Sequence, residues 1–306
     1  MKYNFNFNKY FKIFNIISIV FVIISIFLLF FKGLNFGVDF KGGTLIELRI
    51  IDKQTTIGQI RQSFLNMKLG DVSVKQFGNI NDYLVKFESI EEDTSTGTNN
   101  KKDLISEIKS NLSKDIGEIY EFRRVEKVGP KVSSELLRSG IIAIALSLTA
   151  MLFYIWIRFE WQFSIGAILA LFHDVLLTLG IFSLFNLEIN LSIVAAILTI
   201  VGYSMNDTVV IYDRVRENLK KFSNVQIFDL TNVSINETLS RTIITSTTTL
   251  LALLAIFIFG GEILKGFSLA MILGVIFGTY SSIYIANPIL IFFNVSQKTI
   301  LKEKED

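Results

Sequence analysis

The sequence predicts a polytopic α-helical membrane protein: six transmembrane helices, with a ferredoxin-like α+β extracytoplasmic domain between the first and second helices. Three observations predict it. Apolar residues make up 51% of the 306 residues and fall into long unbroken runs, and at about 1.5 Å per residue such runs cross a hydrocarbon layer of about 30 Å. Charged residues are only 19% of the chain, below the roughly 25% of a soluble domain. Between the first and second runs lies one polar region, 33–138, in which strand and helix patterns alternate.

The first span is Ile13–Phe31. Its run is too long for a signal-peptide core, and no small-x-small cleavage site follows at Lys32-Gly33-Leu34, so it stays as an anchor. Five further spans follow: Ile141–Ile157, Phe163–Phe185, Leu191–Tyr212, Ile243–Phe259 and Phe267–Phe293. The chain therefore divides into 1–32 (N-terminus and first helix), 33–138 (the inserted domain) and 139–306 (a five-helix bundle and tail).

Within the inserted domain, Thr44–Ile50 alternates as a strand. A helix over Thr56–Met67 has Thr56 as its cap and turns Ile57, Ile60, Phe64 and Met67 inward. Asp71–Phe77 and Tyr83–Phe87 read as strands joined by the turn Gly78-Asn79-Ile80-Asn81. Glu91–Asn100 is a polar linker with no core-forming residue. A second helix, Lys102–Leu112, buries Leu104, Ile105, Ile108 and Leu112, and Glu118–Val125 is the last strand. The order βαββαβ is that of a ferredoxin-like fold, which hosts many functions and identifies none.

Loop charges set the orientation. Lys2, Lys9, Lys12, Arg158, Arg214, Arg216, Lys220, Lys221, Arg241, Lys298, Lys302 and Lys304 all fall on one side if the spans alternate, and the opposite short loops hold only Lys265. By the positive-inside rule both termini are cytoplasmic and 33–138 is extracytoplasmic in a multi-pass protein of the cytoplasmic membrane.

Several chemistries are excluded or unsupported. The chain has no cysteine, hence no disulfide, zinc–thiolate site or thiol catalysis. One histidine cannot supply a metal ligand set. No GxxxxGK[ST] loop is present, and the glycines of Gly37–Thr44 do not open a helix and make a poor phosphate loop. A net charge of +2 gives no bulk argument for nucleic acid. No enzyme activity, cofactor or metal is expected.

The polar residues inside the spans remain. Asp207, beside Asn206, interrupts an apolar helix, where a carboxylate costs a few kcal/mol or more unless it has a partner or a wet cavity. Ser192, Ala196, Thr199, Tyr203 and Asn206 recur every three or four residues, flanked by Ala195, Gly202 and Asp207. This face is expected to point into the bundle, leaving Ile193, Ile197 and Ile200 toward lipid. Arg241, before the fifth span, reads either as a snorkelling anchor or as the ionic partner of Asp207. Thr242, Thr245, Ser246 and Thr249 continue its side, as a water path or as packing. His173 and Asp174 lie near the middle of the third span, as satisfied core groups or as part of a proton route. Being separated by about 100° around the helix, they are expected to point different ways. In the sixth span Gly266, Ala270, Gly274, Gly278, Ser282 and Ala286 recur every four residues, a packing stripe containing a GxxxG.

A set of short segments stands out along the chain: Leu34–Phe40 with Gly42-Gly43-Thr44, Val128-Gly129-Pro130, His173-Asp174-Val175, and Val201–Asp207 with Asp213-Arg214 and Arg216-Glu217-Asn218. Arg241-Thr242, Thr245-Ser246 and Phe259-Gly260-Gly261 complete the set. By these segments, which stand in the family's order across nearly the whole chain, the sequence resembles the SecF family of the bacterial SecDF protein-export complex. Gly37, Asp39, Gly42, Gly43, Gly129, Pro130 and Gly202 are its structural motif positions, and Gly274 and Gly278 of the GxxxG are a further structural motif read from spacing alone. Lys41, where a small hydroxyl residue is expected, and the Glu91–Asn100 linker depart from the pattern. The resemblance implies kinship with the RND superfamily of proton-driven exporters and a protein-transport role coupled to the proton-motive force or, in some members, to sodium. It places the family's intramembrane aspartate on Asp207 and its arginine on Arg241, with Asn206, Thr245, His173 and Asp174 ordering water or relaying charge. Implied partners are SecD, the SecYEG channel, SecA, YajC and the translocating preprotein. The alternatives are an RND-type exporter of small molecules or lipids, and a non-transporting scaffold of a membrane channel.

Overall fold

The computed structural model describes residues 5–50, 55–67, 69–70, 72–76, 81–87, 100–116, 119–222 and 225–301. Helix α1 (Phe11–Phe31) leads through strand β1 (Asn35–Phe36) and the one-turn helix α2 (Val38–Lys41) into β2 (Gly43–Ile50). Then come α3 (Ile57–Asn66), β3 (Val72–Gln76), β4 (Asp82–Phe87), α4 (Asn100–Ile116) and β5 (Ile119–Val128). The remainder is helical apart from β6 (Glu188–Ile189): α5 (Pro130–Arg158), α6 (Trp161–Leu184), α7 (Leu191–Lys221), α8 (Ile227–Phe259) and α9 (Gly261–Ser281). A π-helical turn, Ser282–Ala286, joins α9 to α10 (Asn287–Phe292), and α11 (Gln297–Leu301) follows. Among the described residues six helical stretches are long and apolar enough to cross a membrane: Asn8–Phe31, Pro130–Arg158, Trp161–Leu184, Leu191–Lys221, Ile227–Phe259 and Leu264–Phe292.

The chain forms two compact units. In the unit Phe36–Gly140 the sheet order is β3-β4-β2-β5, all antiparallel, which is the ferredoxin-like arrangement expected. Ile46, Leu48 and Ile50 of β2 are buried with Ile60, Phe64, Ile108 and Leu112 of the two helices. Thr56 caps α3 through a capping box: Gln59 N donates to its hydroxyl (3.3 Å) and its own N–H donates to Gln59 Oε1 (2.8 Å). Ile57, expected inward, is exposed, because it sits at the first helical position, where the helix has not yet turned its core stripe to the sheet. A bulge at Glu47/Leu48 shifts the β2–β5 register. Asp82 of β4 is 2% exposed and takes a bidentate bond from Arg49, at 2.6 and 2.8 Å.

The glycines of the first motif act here as space and backbone freedom. Gly43 has φ +134°, and a Cβ there would lie 2.7 Å from the Phe87 carbonyl oxygen. Gly42 packs toward Val128 O and Pro130, while Ser133 Oγ donates to Val38 O at 3.4 Å. The two motif segments thus meet at the end of the sheet. The turn at Gly78–Ile80, most of the Glu91–Asn100 linker, the side chains of Leu104 and Ile105, and Lys2, Lys302 and Lys304 lie outside the described residues.

In the helical unit, α1 lies on α6: a Cβ at Gly180 would meet Ser25, and Ser183 Oγ donates to Gly33 O (2.7 Å) and Leu28 O (3.2 Å). α9 lies on α7 along the expected small-residue stripe, Gly266 over Ile193, Gly274 over Ile200 and Gly278 over Ser204. One difference from the sequence reading is large. Residues 213–241, read as a loop bearing charges, are mostly helix: α7 runs on to Lys221 and α8 starts at Ile227. Leu219, Leu230 and Ile235 bury the seam between these extensions. Polar bonds close it: Arg214 to Glu237 (2.7 Å) and Glu217 (2.6 Å), and Asn218 to Ser234 (3.0 Å) and Glu237 (2.8 Å). Charge density ended the predicted spans where hydrophobicity fell, but an amphipathic helix tolerates it on its outer side. The N-terminal strand of chain is clasped to α8: Phe5 N and Phe7 N donate to Asn236 Oδ1 (2.8 Å) and Asn232 Oδ1 (2.9 Å), and Asn236 Nδ2 donates back to Phe5 O (2.8 Å).

Candidate functional site

The face of α7 expected to point inward is divided. Thr199 and Asn206, with the flanking Ala195 and Gly202, are exposed, Ser192 and Tyr203 are half-buried and Ala196 is buried, whereas Ile193, Ile197 and Ile200, expected toward lipid, are buried. The reason is the glycine stripe of α9, which forms a groove that accepts isoleucine knobs rather than hydroxyls. The buried face of α7 continues through Ser204, Asp207, Thr208 and Ile211. Asp207 therefore lies against α8 and α9, and Asn206 does not share its environment.

Asp207 is 3% exposed, and the bonds it makes are long ones. Ser246 of α8 and Thr279 of α9 each place a hydroxyl 3.5 Å from Oδ2, but these two hydroxyls lie 2.7 Å apart and bond each other, which leaves one proton between them for the carboxylate. Such distances are at the limit of a hydrogen bond, so the carboxylate is loosely held. Arg241 is exposed and makes no ion pair with Asp207 among the described residues. Thr245 is half-buried and its hydroxyl bonds its own helix, at Arg241 O and Thr242 O (both 3.0 Å). Thr242 Oγ1 and Tyr203 OH are buried without a partner among the described residues.

His173 and Asp174 do meet, contrary to the angular argument. His173 Nδ1 lies 2.9 Å from Asp174 Oδ1. The angle around the helix separates Cβ atoms, whereas Nδ1 is only two bonds beyond Cβ and turns back along the helix to the next side chain. Asp174 is fully buried, and its Oδ2 accepts from Ser204 of α7 (2.5 Å) and Ser281 of α9 (2.7 Å). Its bonds are short where those of Asp207 are long. The His173 ring stacks on Tyr280, centroids 5.8 Å apart. Next to this cluster, Thr208 bonds Ser282 at 2.9 Å at the start of the π-helical turn, and Tyr212 OH donates to Ala286 O at 3.0 Å at its end. A Cβ at Gly166 would meet that tyrosine hydroxyl and lie 2.8 Å from Ala286 O.

Sequence reading thus found both carboxylates and missed the hydroxyls that organise them, Ser204, Ser281 and Thr279. No group of three or more metal-ligating side chains occurs among the described residues.

Comparison with known proteins follows the same lines. Residues 108–296 match the family described as protein export membrane protein SecD/SecF, C-terminal, and residues 27–50 match the SecD/SecF GG motif. The chain is 44% identical over 292 residues to the protein translocase subunit SecF of Rickettsia bellii, covering 95% of this chain and 94% of that protein. It is 46% identical over 279 residues to the same subunit of Calditerrivibrio nitroreducens, covering 90% of each. The crystal structure of SecDF, a translocon-associated membrane protein from Thermus thermophilus, superposes with a TM-score of 0.82 at 34% identity. That match covers 95% of this chain and 39% of the crystallised one, so the chain spans about two fifths of SecDF. With its six apolar helices, ferredoxin-like domain and matching motifs, the chain belongs to the SecF family of protein translocase subunits.

Proposed function

We propose that this chain couples an ion gradient to protein export across the cytoplasmic membrane, with SecD, and acts with SecYEG, SecA and YajC on a translocating preprotein. Asp207 takes up and releases the ion, a proton or sodium, and Arg241 biases its charge from a distance. The observation that carries this reading is the loose hold on Asp207: a carboxylate within a candidate transmembrane helix, nearly buried, whose two hydroxyl neighbours both stand 3.5 Å away. A group serving only architecture would be gripped, as Asp174 is. An ion-exchanging group must change charge without breaking strong bonds.

The exposed strip Ala195, Thr199, Gly202 and Asn206 supports a second membrane subunit. Polar side chains facing hydrocarbon are costly, and small residues admit a close helix. SecD is the partner we assign to it. Both termini are cytoplasmic and 33–138 extracytoplasmic, on the charge asymmetry of the loops. The inserted domain transmits the motion to the preprotein.

The test is export into vesicles whose membrane potential and pH gradient are set separately. Asp207→Asn abolishes the gradient-dependent part while SecD still co-purifies. Unimpaired export in that variant refutes ion coupling and leaves a scaffold.

A further inference from the structure

Beyond Asp207, α7 grips the corner between α5 and α6, Arg158-Phe159-Glu160. Arg216 Nη1 donates to Arg158 O at 2.9 Å, and its Nη2 meets Glu160 Oε1 at 2.9 Å. The same guanidinium lies over the Phe159 ring, 5.2 Å from the centroid. Asp213 takes a bond from Arg158 at 2.7 Å, and Tyr212 meets the Phe159 ring edge-on, centroids 5.9 Å apart. Phe159 and Glu160 are each 3% exposed. The charges suit the helix ends they occupy, a cation at the last carbonyl of α5 and an anion at the start of α6. From Asp207 to Arg216 α7 is unbroken, a rise of about 13 Å. By contrast α5 is lightly held elsewhere. Among the described residues its polar bonds to another span are those at Arg158, and both lead to α7. Leu148, Met151 and Ile155 pack on the core, but Ile141, Ile142 and Leu146, further from the corner, are exposed.

We propose that α7 drives α5 through this corner, with Arg216 as the positioning residue that passes a displacement of the Asp207 helix to α5. In chain order α5 is the helix that follows the inserted domain, so the corner is where motion begun at Asp207 leaves the bundle. The proposal rests on the ion-exchange reading of Asp207. Stability does not account for the corner: a buried ion pair can commonly be replaced by apolar packing at no loss, and what it adds is a fixed position. Arg216 fixes position in three ways at once. Its planar fork engages a main-chain carbonyl and a carboxylate, and its face covers a ring that Arg158 covers too, at 4.9 Å. A lysine is a point charge on a flexible stem and cannot hold all three. Because α5 is gripped at its end, it transmits motion along its length only while its own winding is stiff.

The test uses the full chain, co-purified with SecD and reconstituted in vesicles given graded proton or sodium gradients. Ala145→Gly/Leu146→Gly softens α5 at two exposed positions, and Leu146→Ala trims the same side chain without softening the helix. Expected is loss of most gradient-dependent export in the double-glycine variant and no loss in Leu146→Ala. Arg216→Lys is expected to lower maximal gradient-dependent export while the half-saturating ion concentration stays within about twofold, because the ion site itself is untouched. Co-purification of SecD and gradient-independent export are expected to be retained in all three. A double-glycine variant that exports as the unaltered chain does overturns the proposal, and so does a Leu146→Ala variant that fails as badly as the double-glycine one. An Arg216→Lys variant with a shifted half-saturation and an unchanged maximum also overturns it, since Arg216 then acts on the ion site. Should the double-glycine or the Arg216→Lys variant fail to fold, the other decides. If Asp207→Asn exports normally, ion exchange and the drive through the corner fall together. If Asp207→Asn is inactive while the double-glycine variant is active, the corner alone fails.

Discussion

Substituting Gly274 with alanine adds one methyl group at the closest approach of α9 to α7. That methyl would lie 2.6 Å from Ile200 Cδ1 and 2.9 Å from its Cγ2, and closer still to Cγ1. Carbon atoms in contact sit about 3.5–4 Å apart, so the misfit is on the order of 1 Å. Ile200 is 1% exposed and β-branched, with little rotamer freedom in a helix, so the helices rather than the side chain must give. Overpacking of this kind costs about 1–3 kcal/mol, or roughly a fivefold to 150-fold shift in the folding equilibrium. The same substitution at Gly202 of α7 meets no heavy atom within 4 Å and gains helix propensity, so it should be neutral or stabilising by up to about 1 kcal/mol. The assay is reversible denaturant unfolding of the purified chain in mixed micelles, for Gly274→Ala, Gly202→Ala, Ile200→Ala and the double variant Gly274→Ala/Ile200→Ala, which removes all three clashing carbons. The double variant should lose less stability than the sum of its two single changes. If Gly274→Ala is as stable as the unaltered chain, the glycine stripe is not what sets the α7–α9 distance, and the account of why Ile200 faces inward fails with it.

Gly202→Leu should leave the lone chain folded but abolish co-purification with SecD, since the position is open in this chain and lies on the strip assigned to the partner. Arg216→Ala removes the 2.9 Å partner of the buried Glu160 and should destabilise the bundle by about 3–5 kcal/mol. Arg158→Ala breaks an exposed pair with Asp213 and should cost less than about 1 kcal/mol, and thermal unfolding in detergent compares the two. Thr56→Ala deletes the hydroxyl half of the α3 capping box, while the backbone N–H of residue 56 keeps Gln59 Oε1, and should weaken that helix start by about 1 kcal/mol, read as faster hydrogen exchange at Gln59 and Ile60.

The positions of the six spans and the strand order of the inserted domain were legible because each depends on a local pattern: an apolar run, an alternation, a cap such as Thr56. What was not legible depends on which neighbour a helix meets. The stripe on α7 looked like a bundle face because hydroxyls and small residues commonly pack between membrane helices. The actual neighbour, α9, presents glycines, and glycines take isoleucine. Ser204 and Ser281 carried no local signal separating a carboxylate ligand from a packing hydroxyl. Their role arises only where three helices converge on Asp174. Likewise Arg214, Asn218 and Glu237 read as loop residues because hydropathy records the end of a greasy stretch and not the end of a helix.

The wide turn at Ser282–Ala286 has a meaning for chain length. A π turn is an α-helix carrying one surplus residue, and here it comes just before Pro288, whose ring cannot donate to the preceding turn. The slack is taken up from the side, by Asn287 Nδ2 on Ser282 O (2.7 Å) and Tyr212 OH on Ala286 O. Removing one residue from this stretch would let the helix close into regular winding, and because the wide turn already absorbs the surplus residue, the winding downstream would keep nearly its present phase. Leu290, now sealed, and Phe292, now 79% exposed, would hold their bearings. A single-codon deletion here should therefore be tolerated better than one in the regular winding of α9, where it would turn everything downstream by about 100°.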